Sequence, residues 1–181
     1  MKKKPNKCYI LLLLTLMFAT PGIAAYLFYK HPNWLGAKIN KGTLLTPALQ
    51  IQAIKNQSKW KLILWSPDVC EKECIKKLDM LARVRLALGR KLYQVDQWLI
   101  LGESDTALTP PVKALLKQDD FHYAHFSLRE TKLLQQLPES PRIFIADPDN
   151  YLILSYTPEV IPEDVYKDLK LLLNTTETKS G

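Results

Sequence analysis

The chain has 181 residues, 47% of them apolar and 24% charged, which suits one globular domain plus a short extra segment and excludes an intrinsically disordered chain. Its formal net charge is +7, but four of those charges are Lys2, Lys3, Lys4 and Lys7, at the extreme N-terminus. No Arg-rich or Lys-rich block follows, and no zinc-finger or RNA-binding signature is present, so no nucleic-acid partner is expected.

Residues 9–29 carry no charge and are interrupted only by Thr15, Thr20, Pro21 and Gly22. At about 1.5 Å per residue such a helix spans about 30 Å, the thickness of a bilayer core. Tyr9, Tyr26 and Tyr29 lie near its ends, where amphipathic rings favour the interface. Lysines at the N-terminus predict a cytoplasmic tail (1–8), a transmembrane helix (9–29) and everything from Lys30 onward outside. The expected location is therefore the inner membrane, single-pass, with the C-terminal domain on the periplasmic side. A cleaved signal peptide is the competing reading, with Gly22 and Ala24 as small residues before a cut. The apolar run continues beyond them through Tyr29, longer than the usual h-region, and favours an uncleaved anchor. Cys8 falls at the cytoplasmic edge, apart from the other two cysteines.

Residues 30–58 are polar and turn-rich, with Pro32, Gly36, Gly42 and Pro47. They read as a tether ending in an extended lead-in over 43–54. A compact apolar strand follows at 60–65 and is broken by Ser66-Pro67-Asp68-Val69. Ile75, Leu78, Leu81, Val84 and Leu88 recur every three or four residues and predict a helix over 70–88, stopped by Gly89. A second strand is expected at 93–101. Thr109 and Pro110 are N-cap and first-turn residues of a short helix. A third strand is expected at 121–126, on or beside which lie His122 and His125. Ser127 and Glu130 have capping-box spacing and open another helix. A strand over 142–146, a turn at Asp147-Pro148-Asp149-Asn150 and a strand over 151–156 form a hairpin. The last helix is expected over 162–173, and residues 175–181 as a disordered tail.

Three βα units, a hairpin and a closing helix make the thioredoxin-like plan: a central mixed sheet with helices on both faces, over residues 59–174. Cys70 and Cys74 sit just after the first core strand, at the end of the sheet where α/β sites form. A helix N-terminus stabilises thiolate, and i,i+4 cysteines lie about 6 Å apart in an ideal helix, within disulfide reach. In an exported domain such a pair reads as a redox pair or a disulfide, and two thiolates also suit soft Cu(I). Trp65, before the cysteine turn, has a thioredoxin-like position, although a tryptophan at a strand end more often serves packing alone; Asp68 either tunes the Cys70 thiolate or caps the helix, and capping is favoured.

The run Ser66-Pro67-Asp68-Val69-Cys70 resembles the Cys-Pro-Asp-Val-Cys of the Sco/SenC family of cytochrome oxidase assembly proteins. Leu101-Gly102-Glu103-Ser104-Asp105-Thr106 and Ile143-Phe144-Ile145-Ala146-Asp147-Pro148 are similar to later segments of that family. The resemblance implies a membrane-anchored thioredoxin-fold copper chaperone or thiol reductant. It implies Cu(I) or thiol–disulfide exchange at Cys70 and Cys74, and an oxidase subunit or another thiol or copper protein as partner. In the exchange version Cys70, at the helix start, is expected to attack a partner disulfide and Cys74 to resolve the mixed disulfide. In this register the family's first cysteine falls on Ser66; alternatively Cys70 and Cys74 are the equivalent pair. The family's histidine ligand, expected in the loop before the hairpin, is missing from residues 137–142. Pro141 stands there instead, where thioredoxins carry a cis-proline. The competing function is a non-catalytic thioredoxin-like interaction module with a structural disulfide.

Overall fold

The computed structural model describes residues 7–30, 40–55, 58–102, 108–136 and 143–177. The chain divides into an N-terminal unit, residues 1–39, and a domain over 40–181.

In the first unit, α1 (Lys7–Lys30) contains a stretch, Tyr9–Leu27, with mean hydropathy 2.1 and none of it buried in protein. This helix is long and apolar enough to cross a membrane. The Thr15 hydroxyl donates to the Leu11 carbonyl oxygen (2.9 Å), and Thr20 does the same to Leu16. Both polar side chains are thereby satisfied within the helix, as an apolar medium requires.

Among the described residues the domain has six strands: β1 (Thr43–Gln50), β2 (Trp60–Ser66), β3 (Val95–Leu101), β4 (Phe121–His125), β5 (Ile143–Ala146) and β6 (Tyr151–Tyr156). Its helices are α2 (Lys72–Ala87), α3 (Pro110–Gln118), α4 (Leu128–Gln135) and α5 (Pro162–Glu177). The sheet order is β1-β6-β5-β2-β3-β4. Strands β2, β3 and β4 run parallel, while β5 is antiparallel to β2, β6 to β5 and β1 to β6. This is the expected mixed sheet, with the short histidine-bearing strand at one edge. The lead-in forms the other edge strand, with a register shift between Leu44 and Leu49 and a cis peptide bond at Thr46-Pro47.

Alternation along β2 divides the core. Leu62 and Leu64 pack with Leu78 and Leu81 of α2, Val112 of α3 and Val165 of α5. Ile63 and Trp65 face the other way, onto Leu134 of α4 and onto Ile51 and Ile54. Three helices thus cover one face, while α4 and the segment after β1 cover the other. Each fully buried Leu or Ile contributes about 1.5–3 kcal/mol by leaving water.

Several boundaries differ from expectation. Tyr93 and Gln94 belong to a 3-10 helix, Gly89–Gln94, rather than to β3. Gly89 adopts a φ of +60, the left-handed conformation of a helix stop. Helix α5 runs through Glu177, past the expected end at Leu173 and into the stretch expected as a disordered tail; there the Thr175 hydroxyl donates to the Leu172 carbonyl oxygen (2.8 Å).

Buried polar groups fasten the ends of the domain. Asp168 on α5 is 1% exposed and accepts from the backbone N–H of Lys41 (2.8 and 2.9 Å), the N–H of Gly42 (2.7 Å) and the Tyr156 hydroxyl (2.9 Å). Buried Lys61 donates to the carbonyl oxygens of Asp147 (3.3 Å) and Pro148 (2.8 Å), closing the β5–β6 turn. Burial pushes its ammonium pKa down, and the nearby Asp147, Asp96 and Asp149 oppose that shift.

The capping box at α4 is formed as expected: Ser127 Oγ accepts from the Glu130 N–H, and the Glu130 carboxylate accepts from the Ser127 N–H (2.9 Å). The same carboxylate reaches across 78 residues to accept from the Gln52 N–H (2.8 Å), so it also pins the segment after β1. Burial opposes its ionisation, but the hydrogen bonds from Ser127, Gln52 and Ala53 outweigh burial and hold the pKa below the ordinary carboxylate value. A carboxylate with a depressed folded pKa stabilises fully above its unfolded value, near 4.3, and loses that contribution as pH falls through the folded value. Glu130→Gln is therefore expected to cost about 1–2 kcal/mol at pH 7, with the gap from the wild type shrinking toward pH 3. Urea unfolding of both proteins across that range measures it.

Candidate functional site

Strand β2 ends at Ser66, and the chain turns through Pro67, Asp68 and Val69 before α2 begins. The Gly102 N–H donates to the Ser66 carbonyl oxygen (3.1 Å), and a Cβ on Gly102 would overlap the Pro67 carbonyl oxygen. Only glycine permits this approach between the end of β3 and the cysteine turn. The buried Ser66 hydroxyl donates to the Asp68 carbonyl oxygen (3.1 Å), tightening the turn further.

Cys70 and Cys74 are joined by a disulfide, with Cα atoms 5.1 Å apart. Cys70 precedes the N-cap, Glu71, whose side chain makes no capping hydrogen bond. Cys74 is the third residue of α2. The first backbone bond of the helix runs from the Ile75 N–H to the Glu71 carbonyl oxygen (2.9 Å), so the N–H groups of Lys72, Glu73 and Cys74 precede the hydrogen-bonded ladder. Those groups and the helix dipole lower the free energy of a thiolate formed beside them. Cys70 is only 5% exposed and packs into the core, whereas Cys74 is partly buried at its margin.

An open cavity of about 990 Å³ lies over the pair. Its walls are the turn and first helical turns of β2–α2, the start of α3 at Thr109 and Pro111, and the β6–α5 loop at Pro158 and Glu159. The Lys77 ammonium donates to the Pro158 carbonyl oxygen and ties that loop to α2.

Trp65 and Asp68 both line the cavity. Asp68 does not cap α2, because the helix starts two residues later than Cys70 and its N-cap is Glu71. The Trp65 side chain packs in the cluster on the opposite face of the sheet from α2 and is 3% exposed, although the residue also lines the cavity. Pro141 and the loop 137–142 lie outside the described residues, as do residues 103–107. His122 and His125 sit on β4, two strands from β2. His122 lies 4.9 Å, centroid to centroid, from Trp98, and His125 Nδ1 is 3.2 Å from the Gly102 carbonyl oxygen. Among the described residues, no three His, Cys, Asp or Glu side chains form a group that could hold a metal ion. The walls at Pro111, Pro158 and Glu159 were not singled out in the sequence. Pro111 lies in the first turn of α3 and Pro158 in the turn between β6 and α5, and proline is common in both settings, so neither marks a site.

Residues 60–176 match the family model described as "Transmembrane-like, thioredoxin-like, C-terminal domain". The chain belongs to this transmembrane-like, thioredoxin-like family. No curated protein matches it by sequence. Among solved structures, apo Sco1 from Thermus thermophilus is 19% identical with a TM-score of 0.52, covering 74% of this chain and 96% of that one. Yeast Sco1 with copper bound is 13% identical with a TM-score of 0.52, covering 77% and 95%. A SCO1/SenC family lipoprotein from Bacillus anthracis is 11% identical with a TM-score of 0.51, covering 71% and 99%. The fold of this transmembrane-like, thioredoxin-like chain is thus shared with Sco proteins, in line with the resemblance carried by its Pro67-Asp68-Val69-Cys70 motif.

Proposed function

We propose that this protein is a membrane-anchored, Sco-like accessory factor of respiratory oxidase maturation, acting through thiol–disulfide exchange or Cu(I) transfer at Cys70 and Cys74. The observation that carries this is the Cys70–Cys74 disulfide at the start of α2, opening on a cavity. A partner thiolate attacks one sulfur, the intramolecular S–S bond breaks, and the other sulfur leaves as a thiolate next to the free N–H groups of the first turn. The difference in exposure supports an order of attack: Cys74, partly exposed, is the sulfur a partner meets, and buried Cys70 is the internal one, the reverse of the order expected from the sequence. In this reading the four N-terminal lysines stay in the cytoplasm and the domain lies outside it, and a reporter fused after Gly181 is expected to be active only on the periplasmic side.

The reduced pair offers two thiolates, which suit a soft ion of low coordination number and not Cu(II), which draws on imidazole nitrogen. Anaerobic titration of the reduced protein is expected to show at most one Cu(I) per chain. That uptake is lost in Cys70→Ser and in Cys74→Ser and unchanged in His122→Ala and His125→Ala. Tight Cu(II) binding that vanishes with His125→Ala would contradict the donor set. No copper binding at all would leave exchange alone.

A structural disulfide in a non-catalytic module is the second reading, and the burial of Cys70 favours it. A mild dithiol separates the two. Under the proposal it exposes both Cys70 and Cys74 to alkylation in the folded protein, whereas a structural bridge resists it.

A further inference from the structure

The cavity over the disulfide has its own chemistry, apart from the two sulfurs. Leu64, Val69, Ile75, Pro111 and Pro158 supply an apolar lining, and Val69 is 49% exposed. Its charged groups are the carboxylates of Asp68, Glu71, Glu73 and Glu159, against the ammonium groups of Lys72 and Lys77. Glu73 is paired with Lys76 (2.8 Å), while Lys77, held against the neutral Pro158 carbonyl, keeps its positive charge. The carboxylates of Asp68, Glu71 and Glu159, all exposed, therefore outnumber the ammonium groups of Lys72 and Lys77 by one and leave the mouth net negative. A mouth of this sign repels an anionic thiol and attracts a cationic one, and the lining beneath it accepts an apolar side chain.

We infer that the partner of this site is a cysteine-bearing polypeptide segment in which an apolar residue and basic residues flank the cysteine. This inference rests on the exchange role proposed above. In the reaction, a thiolate of a reduced dithiol peptide attacks Cys74 Sγ, the Cys70–Cys74 bond breaks, and Cys70 Sγ leaves as a thiolate and takes a proton. The peptide's second thiolate then attacks the peptide's own sulfur in the mixed disulfide, the bond to Cys74 Sγ breaks, and Cys74 leaves as a thiolate and takes a proton. The products are the protein dithiol and the oxidised peptide, with two electrons passed from one to the other.

The test uses full-length oxidised protein in detergent and three reductants: a two-cysteine peptide flanked by Leu and Lys, the same peptide with Asp for Lys, and neutral dithiothreitol. Reduction is followed by alkylation of Cys70 and Cys74. At low ionic strength the Lys peptide is expected to react about tenfold faster than the Asp peptide. The gap is expected to close at high salt and in the triple variant Asp68→Asn, Glu71→Gln, Glu159→Gln. Equal rates, or a faster Asp peptide, would overturn the inference while leaving exchange intact. A gap that persists in the triple variant would also overturn it, by placing the selectivity elsewhere. If neither the peptides nor dithiothreitol opened the disulfide, the exchange role would fall and the inference with it.

Discussion

Asp168→Ala is expected to lower the unfolding free energy of the domain by about 3–5 kcal/mol, since the carboxylate accepts from three buried or part-buried groups at once. Hydrogen bonds to a charged acceptor contribute about 1.5–3 kcal/mol each, and alanine would strand the Lys41 and Gly42 N–H groups and the Tyr156 hydroxyl together. Burial, followed by the Asp168 charge, drives the Tyr156 pKa far upward, so the phenol remains a donor to the carboxylate across the accessible pH range. Tyr156→Phe removes one donor and leaves the carboxylate two backbone N–H partners; it should cost about 1 kcal/mol. The order Asp168→Ala, then Asp168→Asn, then Tyr156→Phe, from most to least destabilised, is read from urea midpoints at constant m. A silent Asp168→Ala would mean that the start of β1 is not held to α5.

The second large effect concerns the thiols. With a partner disulfide present, Cys70→Ser is expected to accumulate a stable mixed disulfide through Cys74, because the internal sulfur that would release it is gone. Cys74→Ser should trap little, since Cys70 lies in the core cluster and is 5% exposed. In the single-cysteine variants, alkylation at Cys70 should be about tenfold slower than at Cys74, as access limits thiolate attack. The reverse ratio would restore the N-terminal cysteine as the attacking one.

Much of this architecture is legible in local sequence. The three-and-four spacing from Ile75 to Leu88, the Ser127–Glu130 box and the Asp147–Asn150 turn each specify their element within a few residues, and the element order then gives the fold. What stays hidden depends on distance. Strand β1 contains Pro47 and polar threonines and alternates poorly, so only its pairing with β6 makes it a strand. Asp168 looks like an ordinary helix-surface acid and Glu130 like a capping-box residue alone; their distant partners lie 127 and 78 residues away in sequence. The cysteine pair was legible as a unit from spacing alone. Its order of exposure was not, because that depends on where α2 starts: Glu71, not Asp68, is the N-cap, which leaves Cys70 before the helix and against the core.

The central claim is that Cys70 and Cys74 form a working pair rather than a bridge that only holds the fold. Their equilibrium reduction potential in the full-length protein, measured in a graded dithiol–disulfide buffer, tests it most directly. A pair that exchanges with partners should titrate well above about −300 mV, in the range of catalytic dithiols, while the domain stays folded in both states. A potential below about −300 mV, with unfolding on reduction, would mark a structural disulfide and contradict the account.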